Sequence, residues 1–232
     1  MSFPVAIVTG ASSGIGLALT HHLLTHSYHV ILADLQPPPH PLPPNTHYIH
    51  TDIASWPSQA HLFAQTHALH NRLDVFIANA GIDDRDDIFH SLPPNTTHPH
   101  EPPPPPPKKP NTATFDTNLT GTYYGIKLAA YYMTLPKPSL VTSPTTTPTS
   151  PKTTGGKILL TSSAAALSPL PPLPQYTASK TALVALTHTL APSALPHKIH
   201  INSVCPALVA TNLAPPGLLS AFRAEQFTPM ER

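Results

Sequence analysis

The sequence predicts an α/β fold with a doubly wound parallel sheet, and three observations predict it. Short β-branched apolar runs alternate with longer amphipathic stretches along most of the 232 residues, the pattern of repeated β-α units. The first run, residues 5–8, passes directly into Gly10-Ala11-Ser12-Ser13-Gly14-Ile15-Gly16 and then into Leu17, Leu19, Leu23 and Leu24. It therefore reads as strand, glycine turn and helix in succession. The second run, residues 29–33, ends in an acid, Asp34, eighteen positions beyond Gly16.

Each element follows from its residues. In the first turn, Gly10 permits the tight bend, Gly14 allows backbone N–H groups close to a pyrophosphate, and Gly16 lets the helix approach the strand. Ser12, Ser13 and Ile15 complete a loop that faces phosphates together with the helix N-terminus. Asp34 is placed to accept hydrogen bonds from both adenosine ribose hydroxyls and to repel a 2′-phosphate. The next residue, Leu35, is not an arginine, and no basic residue lies in the glycine turn, so the expected cofactor is NAD rather than NADP. A third strand over residues 46–50 leads to Asp52 and Ile53. A helix over 58–71 follows, then a fourth strand over 73–78 that ends at Asn79-Ala80-Gly81. Residues 113–133 read as one long helix carrying Asn118, and 157–161 as the fifth strand, ending at Ser162 and Ser163. Tyr176 and Lys180 fall on a further helix, and a sixth strand over 198–204 leads to Cys205 and Pro206. The expected strand order is 3-2-1-4-5-6. Cofactor and substrate then meet at the C-terminal strand ends, where Gly14, Asn79, Ser163 and Thr211 fall.

The chemistry is concentrated in Tyr176-Thr177-Ala178-Ser179-Lys180. Positions i and i+4 share a helix face, so the Lys180 ammonium stands beside the Tyr176 phenol and is expected to stabilise its phenolate. A free tyrosine, with a pKa near ~10, is a poor base at neutral pH, and a fixed cation makes it usable. Ser163, thirteen residues earlier, supplies a hydroxyl to the same substrate oxygen.

Together these motifs resemble the short-chain dehydrogenase/reductase family, from Val5 to about Leu213. The resemblance implies a Rossmann-type sheet and a catalytic set of Asn118, Ser163, Tyr176 and Lys180, with Asn118 kinking its helix and holding a water that relays protons to Lys180. It also implies that Asp52 and Ile53 meet the adenine, that Asn79, Ala80 and Gly81 support the cofactor, and that Pro206, Val209 and Thr211 contact the nicotinamide end. Tyr176 and Lys180 serve both catalysis and cofactor binding. By Asp34, Ser162-Ser163-Ala164 and Cys205-Pro206, the subtype is similar to NAD-dependent alcohol dehydrogenases of the 15-hydroxyprostaglandin dehydrogenase kind. Two departures stand out. Pro206 is followed by Ala207 where the family has glycine, and Arg232 comes before the family's last helix and seventh strand. The sixth strand is therefore expected to be an edge, which invites association. The family's habit implies a homodimer or homotetramer built on the long helices.

Composition bounds the alternatives. A 232-residue chain suits a single domain, residues 1–232. A net charge of +1 gives no reason to expect nucleic acid or an anionic membrane, and no apolar run approaches the ~20 residues that span a bilayer. No signal segment is apparent, and the expected location is cytoplasmic. One cysteine, Cys205, excludes an internal disulfide and reads as a small core residue. The sixteen histidines lack metal-ligand spacing, so no metal is expected. The 33 prolines cluster after Asp34 and in two inserts, near 93–111 and 136–156, expected to be loops.

The expected activity is reversible NAD-linked oxidation of a secondary alcohol to a ketone. Apolar residues over 167–174 and 213–222 point to a hydrophobic small-molecule substrate. The competing readings are an NAD-binding protein without turnover, shortened at its C-terminus, and an isomerase or dehydratase using the same tyrosine.

Overall fold

A computed structural model describes residues 3–41, 43–89, 105–137, 154–209, 211 and 213. At its centre is a six-stranded sheet in the order β3-β2-β1-β4-β5-β6, with every neighbouring pair parallel, as expected from the sequence. The strands are β1 (Val5–Thr9), β2 (His29–Asp34), β3 (Thr46–His50), β4 (Val75–Ala78), β5 (Gly156–Thr161) and β6 (Ile199–Val204). Helices α1 (Gly14–Thr25), α2 (Trp56–His70), α3 (Ala113–Phe115), α4 (Thr122–Thr134) and α5 (Pro174–Ala194) connect them. Residues 5–8 are completely buried because helices cover both sheet faces, which is why the strand reads as a continuous apolar run rather than an alternation. On one face Leu62 and Phe63 of α2, Ile126, Ala129 and Met133 of α4, and Leu190 of α5 form the larger core. On the other, Leu19, Leu23 and Leu24 of α1 pack against Val8, Val30 and Leu32.

Three elements differ from the sequence expectation by more than one residue. Helix α2 starts at Trp56 because Ser55 accepts a hydrogen bond from the Ser58 amide at 3.3 Å, with Pro57 in the first turn. Strand β4 starts at Val75, two residues late, although the Asp74 backbone before it still donates to the Val5 carbonyl and accepts from the Lys157 amide, both at 2.9 Å. The Asp74 carboxylate takes the Val5 amide at 2.8 Å and Arg72 at 2.7 and 2.9 Å. The helix expected over 113–133 is interrupted by one π-helical segment, Asp116–Gly121, which contains Asn118.

Asp74 also closes the second insert. Lys137 lies 3.2 Å from its carboxylate and donates to the Gly155 carbonyl, so both ends of the segment are pinned at the N-terminal end of the sheet. Burial pushes the Asp74 carboxyl up, but the hydrogen bonds from Arg72 and Val5 and the Lys137 charge outweigh it and hold the group below its usual range. Residues 105–111 of the first insert are exposed and neither helical nor stranded, as expected of proline. Residues 93–104 of that insert, 138–153 of the second, and the apolar stretch over 214–222 lie outside the described residues. Among the described residues β3 and β6 form the two edges of the sheet.

Candidate active site

The glycine turn is built by close approach. Gly10 has φ +65°, and a Cβ on Gly16 would collide with the Gly10 carbonyl oxygen, so the start of α1 lies directly on the turn. Asn79 locks the neighbouring strand end to it, its side-chain amide donating to the Thr9 and Gly10 carbonyls at 3.1 and 3.3 Å. The Thr9 hydroxyl accepts from the Asn79 and Ala80 amides at 3.0 and 3.1 Å. Ser13, the N-cap of α1, makes no side-chain cap, and the first turn holds no acidic residue. The helix therefore presents its positive end to the cleft without an internal counter-charge.

The second half of the site joins β5 to α5. The Lys180 side chain is buried, 3% exposed, and donates to the Thr161 carbonyl at 2.8 Å, while the Ser162 hydroxyl donates to the Lys180 carbonyl at 2.7 Å. These two bonds draw the strand end carrying Ser163 against the helix carrying Tyr176. The Ser163 hydroxyl accepts from the Ala165 amide at 3.1 Å, and Ser163 and Tyr176 line the same cleft. Burial raises the Tyr176 pKa above its ordinary value, and the Ser163 hydroxyl opposes this only in part. Lys180 lies over the ring, its Nζ 5.6 Å from the ring centroid, and burial pushes its pKa down to about 8. The cation faces the ring and the Thr161 carbonyl, and desolvation controls the phenol.

A cleft of about 420 Å³ joins the two halves. Of the sequence-predicted residues, Gly10, Ser13, Gly14, Ile15, Asn79, Ala80, Gly81, Ser163, Tyr176, Lys180, Pro206, Val209 and Thr211 line it. Thr211 lies against the glycine turn, since a Cβ on Gly14 would meet its Cγ2 at 3.0 Å.

The others stand behind or beside the wall. Gly16 lies under the turn. Asp34 accepts the Ser12 amide at 2.9 Å and the Gln36 amide at 3.0 Å, so its carboxylate ties the glycine turn to the end of β2, beside the exposed Leu35. Asp52 is exposed and caps its own loop by accepting from Ala54 at 2.9 Å, while Ile53 is buried. Neither is brought to the cleft wall. Asn118 is fully buried and pairs with both backbone groups of Ile82 at 2.8 Å, its amide also donating to Ser179 at 3.1 Å. Asn118 thus holds the loop after β4. Cys205 is half-buried rather than a core residue.

Sequence reasoning missed the loop following Gly81. Asp83 lines the cleft, and Asp84 accepts the Gln175 and Tyr176 amides at 2.9 and 2.5 Å. The available signal was the run Asp83-Asp84-Arg85-Asp86-Asp87 together with a helix whose N-cap position, Leu173, carries no capping side chain.

Comparison with known proteins places this architecture. The "Short-chain dehydrogenase/reductase prx4" of Penicillium roqueforti is 31% identical over 212 residues, covering 91% of this chain and 56% of that protein. The chain therefore spans little more than half the length of that curated relative. A 3-ketoacyl-(acyl-carrier-protein) reductase from Brucella melitensis, solved with NADH, has a similar fold with a TM-score of 0.69 at 18% identity, over 91% of this chain and 78% of the other. A short chain dehydrogenase/reductase from Burkholderia phymatum, solved with NAD, matches at a TM-score of 0.68 and 19% identity, over 99% and 74%. Residues 4–217 match the family model described as short chain dehydrogenase, and the chain belongs to that family.

Proposed function

We propose that this chain is an NAD-dependent oxidoreductase that interconverts a secondary alcohol and a ketone on a hydrophobic small molecule, of the 15-hydroxyprostaglandin dehydrogenase kind. The observation that carries this reading is the meeting of Ser163 and Tyr176 in the lining of one cleft, with Lys180 Nζ over the tyrosine ring. The residues present fit the cofactor. The uncapped start of α1 would take the pyrophosphate, Asp34 the adenosine ribose, and Lys180 the nicotinamide ribose. When bound, the nicotinamide supplies the hydride acceptor or donor.

The chain's own groups handle the proton. With its pKa held above the ordinary value, Tyr176 is a neutral phenol at pH 7 and can donate to a carbonyl oxygen in the reducing direction. Ser163 spends a lone pair on the Ala165 amide and keeps its proton for the same oxygen. Lys180, cationic below about pH 8, offsets the negative charge left on Tyr176. Leu170, Leu173, Leu208 and Leu213 line the cleft and favour an apolar substrate.

Calorimetric titration tests the cofactor assignment. NAD should bind at least tenfold more tightly than NADP, about 1.4 kcal/mol, and equal affinities would overturn the role of Asp34. A panel of lipid, steroid and polyketide alcohols tests turnover. Tyr176→Phe should fold normally and show no hydride transfer, and retained activity would assign the acid/base to another group.

A further inference from the structure

The start of α5 has an accounting problem that its own sequence does not solve. Its first residue, Pro174, has no N–H, and Leu173 at the N-cap offers no side-chain acceptor. The first intrahelical bond is Thr177 to the Leu173 carbonyl, at 2.9 Å. The amides of Gln175 and Tyr176 therefore have no partner within the helix. Both go to one carboxylate on a distant loop, Asp84, with Oδ2 accepting from Gln175 at 2.9 Å and Oδ1 from Tyr176 at 2.5 Å. A negative charge at a helix N-terminus also complements the helix dipole.

That loop is itself held from three sides. Asn118 fixes both backbone groups of Ile82, Thr114 donates to the Asp83 carbonyl at 2.8 Å, and the Asn111 amide donates to Asp86 at 3.2 Å. Gln175 closes the circuit by donating its side-chain amide to the Asn111 carbonyl at 3.0 Å. Two residues upstream of Asp83, Gly81 lines the same cleft as Tyr176. The backbone of Tyr176 is thus referenced, through one carboxylate, to the strand end that forms the opposite wall.

We propose that Asp84 is a positioning residue for the reaction. It touches neither substrate nor cofactor, but fixes the first turn of α5 so that the Tyr176 phenol reaches the Ser163 hydroxyl in the cleft. This role rests on the proposed acid/base function of Tyr176. Misplacing a reacting group by about 1 Å costs on the order of 100-fold in rate.

The test uses the full chain with Asp84→Ala and Asp84→Asn. The asparagine variant would retain one carbonyl acceptor but turn its amide toward a backbone donor. In Asp84→Ala, kcat should fall about 10- to 100-fold while KM for NAD stays within about twofold, with Asp84→Asn between it and the wild type. A readout independent of turnover is the ¹⁹F resonance of Tyr176 in fluorotyrosine-labelled protein, assigned by its loss in Tyr176→Phe. Asp84→Ala should shift or broaden that signal and leave the other tyrosines unchanged. Equal kcat in all variants, a selective rise in KM for NAD, or an unchanged Tyr176 signal would each overturn the proposal. If the wild type turns over no alcohol, the enzyme reading fails, and the fluorine signal alone decides whether Asp84 positions Tyr176. If Asp84→Ala does not fold, the same measurements on Asp84→Asn decide.

Discussion

Lys180 is the residue at which burial and charge conflict most directly. Free in solution a lysine side chain keeps its proton up to about 10.5, whereas burial in this fold brings the value to about 8. The unfolded chain therefore binds more protons than the native one between those values, and stability from this group falls as pH drops from about 10.5 through about 8. Below pH 8 the full cost is present, about 3 kcal/mol from a shift of this size. Lys180→Met removes the charge at every pH, and it also removes the pH-independent bond to Thr161. The informative quantity is therefore the change with pH. Relative to Lys180→Met, the wild type should gain stability between pH 7 and pH 10 in urea denaturation. A constant difference would mean that the ammonium is better solvated than its burial implies. This conflict was not legible in the sequence, because i, i+4 spacing brings Lys180 to Tyr176 without revealing how much water either one loses.

At the scale of elements, the widened turn before α4 interrupts the stretch that periodicity reads as one long helix, and it contains the asparagine that the family resemblance gave as a kink. Here Gln59 of α2 reaches in and donates to both the Ile53 carbonyl, at 2.5 Å, and the Gly121 carbonyl, at 2.7 Å. The loop after β3 presses against the helix at this point, and a Cβ on Gly121 would meet the Ile53 oxygen at 2.6 Å. Single π turns of this kind recur at functional sites. This one rotates Asn118 inward to hold Ile82, and so supports the loop that carries Asp84. Gly121→Ala should destabilise the protein by about 1–3 kcal/mol, the usual cost of forcing an extra methyl into a packed site. Chemical denaturation measures it. An effect under about 0.5 kcal/mol, the range of surface substitutions, would show that the contact yields freely. Periodicity alone could not reveal this element, because the groups that meet it at Gly121, Gln59 and Ile53, lie far away in the sequence.

Across the whole molecule, the parts that proved legible are those whose physics is local. Buried parallel strands read as apolar runs, and all six fell where expected to within two residues. The glycine turn declared itself because its backbone geometry demands glycine. What stayed hidden are bonds between residues far apart in sequence, such as Asp84 with Tyr176 and Asp74 with Lys137. Quaternary structure belongs to the same class. Between α2, α4, α5 and β6 runs an apolar groove lined by Trp56, Ile126, Tyr131, Leu190, Ile199 and Ile201. Tyr131 is 61% exposed and Trp56 40%, and among the described residues β6 has no strand beyond it. Exposed aromatic area of this kind is characteristic of interfaces, and a two-fold axis lets one such face cover its own copy. The chain should therefore sediment as a homodimer or homotetramer. Tyr131→Lys, which places a charge on that face, should shift it toward monomer and remove the concentration dependence of its melting temperature. Wild-type protein that sediments as a monomer at every concentration would show that this face has another role. Association that persists unchanged in Tyr131→Lys would move the interface elsewhere, with the open edge of β6 the next surface to probe by substitution.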